Sequence, residues 1–150
     1  HAKADQKLDM NYTVRHHGKK TTSLMEISGI LEEHSSKLFR GTIDFLRGCS
    51  GAKGDEREDI LMLGDDLVNQ TIPLILCQEE DVEGNHGASM GKLDDSVLYY
   101  LSSRGIPEEK AEQIMARARI DAVCNRIPQE MVRKLVEEYL GTEEDTDETV

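Results

Sequence analysis

From Lys7 to about Cys77 the apolar residues fall in short, strand-like runs bounded by Gly, Asn, Asp or Ser. "KLDMNYTVRHHG" puts Leu8, Met10, Tyr12 and Val14 on one side and polar residues on the other, the period of a half-buried strand. "SLMEISGIL", "KLFRGTIDFL", "DILMLG" and "IPLILCQ" follow. Their starts recur at about fifteen to twenty residues, in the lower range for stacked repeats. No helical stripe joins these runs, which disfavours βαβ units, whose crossovers need a helix. Two architectures remain open on this pattern: an antiparallel sandwich, or a parallel solenoid with each coil stacked on the last.

After Leu93 the period changes. "DDSVLYYLSSRG" offers Asp94 or Asp95 as N-cap, Val97, Leu98 and Leu101 as an i, i+1, i+4 face, and Gly105 as the residue just past the end. The next helix opens with Pro107 in its first turn, where Glu108 and Glu109 complement the positive end of the dipole. Ala111, Ile114, Met115, Ala118 and Ala122 make its expected apolar stripe. Pro128 separates it from a third helix marked by Met131, Leu135 and Tyr139 and stopped at Gly141. The organisation expected is strands over 1–92, a helical subdomain over 93–141 and a disordered acidic tail over 142–150.

The net charge of −12 argues against nucleic acid as a partner, because phosphate binding needs clustered Lys and Arg. No run of eighteen apolar residues exists to span a membrane. Cys49, Cys77 and Cys124 are odd in number and lack CxxC spacing, which suits a reducing cytoplasm better than a disulfide framework or a zinc knuckle. The chain starts at His1, not Met, as expected of a piece of a longer protein.

The stretch "EGNHGASMGKLDD" carries the candidate chemistry. It is not a phosphate loop: Gly87 and Gly91 enclose three residues instead of four, and Leu93 stands where a Mg²⁺-binding hydroxyl belongs. Gly84, Gly87 and Gly91 read better as positions of positive φ or close backbone approach. His86 follows the acidic "EEDVE"; a neutral imidazole there can ligate a metal or move a proton, and the plainer reading is a histidine bonded to local backbone. His16 and His17 are adjacent on a strand, point to opposite faces and so cannot share a metal. Cys77 closes an apolar strand and is expected in the core, whereas Cys124, at a helix end, is expected nearer the surface. No nucleophile–base pair is legible, so no hydrolase is indicated.

"EGNHGASMGKLDDSVLYYLSSRGI", with "LFRG", "LMLGDD" and "NQTIP" upstream and "GIPEEKAEQIMARARIDAVCNRIP" downstream, resembles the C-terminal part of the SufB/SufD family, the scaffold proteins of SUF-type iron–sulfur cluster assembly. The resemblance covers about Asn11 to Gly141. It implies a mainly β protein: a right-handed parallel β-helix, here truncated, followed by a small helical subdomain. It implies a scaffold and not an enzyme, docking SufC, an ABC-type ATPase, through the helical region, and pairing with another SufB/SufD-type chain or with itself. Val97, Leu98, Leu101 and Arg104 are the candidate docking residues; the plainer reading is that the apolar ones seal the end of the β-helix. His86 matches the histidine of the family's H-[GE]-A-[ST] motif, a candidate iron or iron–sulfur ligand for a transiently held cluster. Glu58 stands where SufB-type members carry a cysteine, and Gly87 where they carry a carboxylate, so the chain looks SufD-like or like a short divergent paralogue. A truncated β-helix exposes unpaired backbone groups on its last coil, so a dimer or larger is expected. Two rivals stay open: a metal-dependent enzyme centred on His86 with Glu79, Glu80 or Asp81 as carboxylate partner, and a structural interaction module without cluster chemistry, which Glu58 favours.

Overall fold

The computed structural model describes the backbone of residues 1–147 and the side chains of residues 1–138. Six strands, β1 (Lys7–His16), β2 (Thr22–Glu32), β3 (Ser36–Phe45), β4 (Ala52–Leu63), β5 (Val68–Cys77) and β6 (Val82–Gly91), precede three helices. The helices are α1 (Asp95–Ser103), α2 (Glu108–Cys124) and α3 (Glu130–Asp147). The strands form two three-stranded sheets, ordered β1-β3-β5 and β2-β4-β6. Every pairing is parallel. Successive strands therefore alternate between the sheets, and the sandwich of antiparallel strands is excluded. Register partners lie 29 to 32 residues apart, as Lys7 with Ser36 and Ser36 with Val68. The shorter interval in the sequence is thus the spacing of single strands, two to each repeat.

The chain divides into two compact units, residues 1–100 and 101–150. In the first unit the inward positions of β4 read Ala52, Gly54, Glu56, Glu58 and Ile60, all buried, alternating with exposed or half-buried neighbours up to Asp59 and followed by the buried Leu61. Gly54 and Gly84 permit a close approach across the interior. A Cβ at Gly54 would lie 2.7 Å from Ile43 and 3.2 Å from Phe45, and one at Gly84 would lie 2.9 Å from Ile75 and 3.1 Å from Phe45. Gly87 and Gly91 meet nothing, and neither they nor Gly84 has positive φ; the positive-φ glycines are Gly48, Gly51, Gly64 and Gly105. The strand-end glycines thus continue the ladder, and the left-handed conformations sit in the turns between strands and after α1.

Two apolar clusters fill the interior. Ile43, Phe45, Cys49 and Ala52 form one, joined by Met25, Ile75 and Val82. Ala2, Leu31 and Ile60 form the other, joined by Leu8, Ile27, Met62 and Leu67. Glu56 and Glu58 occupy the β4 positions between them, so a polar belt crosses an otherwise apolar interior. Tyr12 is 58% exposed, although its strand alternates as expected, because β1 is an edge strand. Exterior ion pairs link successive repeats, such as Lys53 with Glu83 (2.6 Å) and Arg40 with Asp9.

Asp94 caps α1: its carboxylate accepts the Ser96 N–H at 2.7 Å, and the Ser96 hydroxyl first and this N–H second hold its pKa below the usual range. Gly105, at φ 81°, ends the helix while the Ile106 N–H returns to the Leu101 carbonyl. Pro107 is the residue before α2, not part of its first turn. The buried residues of α2 are Ala111, Ala116 and Cys124, while Ile114 and Ala118 are exposed. The stripe differs from the expected one because alanines occur all around this helix and do not mark a face. α3 continues past Gly141 to Asp147; one helical glycine costs only about 1 kcal/mol, and Glu143 and Glu144 are good helix formers. Of the expected acidic tail, residues 148–150 lie outside the described residues, as does the side chain of Tyr139.

Candidate functional site

The polar belt is built from the alternation of β4. Two inward carboxylates, two residues apart, meet different environments. Glu58 accepts hydrogen bonds from the Lys37 ammonium on β3 and from the Thr71 hydroxyl (2.7 Å) on β5. Lys37 also donates to Thr71 at 3.2 Å. The Lys37 and Glu58 side chains are only 3% and 1% exposed. Burial pushes the Lys37 pKa down to about 8, because a desolvated ammonium loses hydration that one carboxylate only partly replaces.

Glu56 is different. It is buried, yet it accepts no hydrogen bond among the described residues, and burial raises its pKa above the usual carboxylate range. Its register partner on β6 is His86, whose proximity opposes that rise. Glu56 fits its place because the facing residue on β3 is Gly41, where a Cβ would overlap the carboxylate. His86 itself is exposed, on the last strand of its sheet. An open depression of about 410 Å³ adjoins the pair, lined by residues 55–58 of β4 and 85–89 of β6.

The structure thus brings His86 together with Glu56, not with Glu79, Glu80 or Asp81. Those three sit at the turn before β6, where Glu79 accepts the Gly48 N–H (3.0 Å) and Asp81 accepts the Ser50 hydroxyl (2.6 Å). A strand rising about 3.3 Å per residue carries His86 well away from that turn. Among the described residues no group of three or more His, Cys, Asp or Glu side chains is placed to hold a metal ion. His16 and His17 separate as expected. His16 is buried, bonded to Thr21 (2.7 Å) and Ser23 (2.9 Å) and stacked on Phe45, and His17 is exposed.

The cysteines reverse two expectations. Cys77 is exposed because β5 is the last strand of its sheet, and Cys124 is buried within the helical unit. Cys49 is buried, and burial pushes its thiol pKa up, so it is a poor thiolate. Of the candidate docking residues, Val97, Leu98 and Leu101 are half-buried on α1, and Arg104 is exposed just after it. The strongly exposed side chains of α1 are Tyr99 and Tyr100, which the apolar spacing passed over. Glu56 was also missed, hidden in the unbroken charged run "DERED".

Residues 1–119 match the family model described as "SUF system FeS cluster assembly, SufBD core domain". The chain is 34% identical over 126 residues to the iron–sulfur cluster assembly protein SufD of Bacillus subtilis, covering 83% of this chain and 29% of that protein. It is 30% identical over 125 residues to a chloroplastic SufBD family protein of Arabidopsis thaliana, covering 83% of this chain and 22% of that one. A SufBD family protein of Synechocystis is 29% identical over 125 residues, 83% of this chain and 26% of its own length. The chain therefore belongs to the SufB/SufD family of iron–sulfur cluster assembly proteins. It spans less than a third of the length of these curated relatives. No described helix is long and apolar enough to cross a membrane.

The donor set bears on what the site holds. An imidazole and a carboxylate are both iron ligands. Glu58 is already committed to Lys37 and Thr71, and as a carboxylate it cannot bridge sulfur as a thiolate does.

Proposed function

We propose that this chain is a cytoplasmic scaffold or partner subunit of SUF-type iron–sulfur cluster assembly, without enzymatic activity of its own. The family match over residues 1–119 carries this reading. Two parallel sheets fed alternately by successive strands agree with a β-helix, right-handed as parallel crossovers almost always are. The chain pairs with another SufB/SufD-type chain or with a second copy, since β5 and β6 end their sheets with unpaired edges. It docks a SufC-type ABC ATPase through its helical region, with Val97, Leu98, Leu101 and Arg104 as the candidate residues. His86 holds iron or cluster transiently as cargo.

The test is replacement of the native gene by its His86→Ala form. The expected outcome is a severalfold fall in iron–sulfur enzyme activity under iron limitation, with the protein's abundance unchanged. Full activity would remove His86 from cluster chemistry. That outcome would favour the second reading, a partner subunit without cluster chemistry, to which the engagement of Glu58 by Lys37 points.

A further inference from the structure

We infer that the stacked turns on one side of the strand unit form a charge-polarised, self-complementary face, by which two copies of this chain dock antiparallel. The face is separate from the unpaired strand edges of β5 and β6, and the inference does not rest on the reading given for them.

Three turns stack on this side: residues 17–21 between β1 and β2, 46–51 between β3 and β4, and 78–81 between β5 and β6. The Lys20 N–H donates to the Ser50 carbonyl (3.0 Å) and the Gly51 N–H to the Asp81 carbonyl (2.6 Å), so the ladder of the strands continues through the turns. Thr22 is in register with Lys53, and Ala52 with Val82. Carried back into the turns, these registers give two columns, Lys19–Ser50–Glu80 and Lys20–Gly51–Asp81. Each runs from a cation through a small uncharged residue to an anion. The four charged residues are exposed. Two strand spacings put the opposite charges about 10 Å apart. The side chains of Lys19, Lys20 and Glu80 make no hydrogen bond or ion pair among the described residues, while Asp81 accepts only the Ser50 hydroxyl.

Lys20 carries the argument further. Its φ is 57°, and Gly51, its counterpart one coil on, has φ 74°. Both are left-handed conformations, which favour glycine. The second turn uses glycine there. The first uses a lysine whose only bond is made by its backbone, so the fold does not require the side chain. Its charge is what the position keeps.

A partner fits this face only if its own charges reverse sign over the same distance. Nucleic acid does not: at about one negative charge per 1.7 Å it would run on into the acidic turn. A second copy does. A two-fold axis lying across the columns at Ser50 and Gly51 sets Lys19 against the partner's Glu80 and Lys20 against the partner's Asp81, each contact made twice. The small residues on the axis let the two faces approach. At physiological salt the Debye length of about 8 Å screens the mutual repulsion of two chains of net charge −12 more than it screens these short contacts.

The experiment is sedimentation equilibrium of the whole chain at physiological salt. Wild-type protein is expected to show a concentration-dependent dimer. Lys19→Glu and Glu80→Lys, each alone, turn both copies of one contact into like-charge pairs and are expected to weaken it by about tenfold or more. An equimolar mixture of the two variants restores opposite charges across the axis and is expected to recover most of the wild-type affinity. Lys7→Gln, at the other end of β1, is expected to change nothing. Lys20→Gly separates binding from folding: it is expected to weaken the dimer while leaving the melting temperature equal to or above that of the wild type. A dimer indifferent to both charge reversals, or a mixture no tighter than its components, would overturn the inference. So would a chain that stays monomeric up to millimolar concentration; binding of poly-glutamate by that monomer, lost in Lys19→Glu, would give the basic turn to an acidic segment of another protein instead.

Discussion

Lys37→Met is expected to destabilise the strand unit by about 3–5 kcal/mol, the cost of leaving one member of a buried ion pair unpaired. Methionine fills much the same volume as lysine, so little of that loss comes from a cavity. The cost arises at Glu58, whose carboxylate stays buried with only the Thr71 hydroxyl to serve it. Urea unfolding measures the change. The double variant Lys37→Met/Glu58→Leu is expected to recover most of the loss, since a buried ion pair replaced by well-packed apolar groups is often neutral or stabilising. A double variant as unstable as the sum of the singles would mean that the pair holds the fold in a way packing cannot replace.

The same pair sets a pH dependence. Lys37 has a folded pKa of about 8, against 10.5 for a lysine free in water. Below pH 8 both folded and unfolded chains carry the proton. Between 8 and 10.5 the unfolded chain keeps a proton that the folded chain has released, so this group's contribution to stability rises with pH across that window. The rise is expected in wild-type protein and absent from the double variant.

Phe45→Ala is the second large effect, again expected at about 3–5 kcal/mol. Phe45 is fully buried in the cluster of Ile43, Cys49 and Ala52 and stacks on His16 at 4.8 Å between ring centroids. Gly54 and Gly84 present bare backbone to its ring, so at these two positions no side chain can move into the space it would leave. That places the expected cost toward the upper end of the range. A loss below about 1 kcal/mol would show that the two sheets close over the cavity.

The inner and outer faces of most strands were legible in the sequence, because alternation is a local property. Leu8, Met10 and Val14 turn inward as read. The pairing of strands was not legible as periodicity: alternation says which face is buried, and says nothing of which strand lies alongside. The resemblance favoured the solenoid arrangement, and the parallel registers agree with it. The polar belt escaped for a different reason. Lys37, Glu56 and Glu58 are charged residues at inward positions, and "DERED" offers no contrast between faces. Only the pairing of β4 with β6 and the facing Gly41 reveal that Glu56, and not the acids nearer in sequence, accompanies His86. The exposure of Cys77 depends on β5 having no further neighbour, a fact of topology and not of local composition.

Calorimetry of this chain with the SufC-type ATPase of its own organism tests membership of a working SUF complex most directly. The account predicts saturable binding that Leu98→Asp, shown folded by circular dichroism, abolishes. A folded wild-type chain that gives no heat of binding would contradict it, leaving family membership as a statement about ancestry and fold alone.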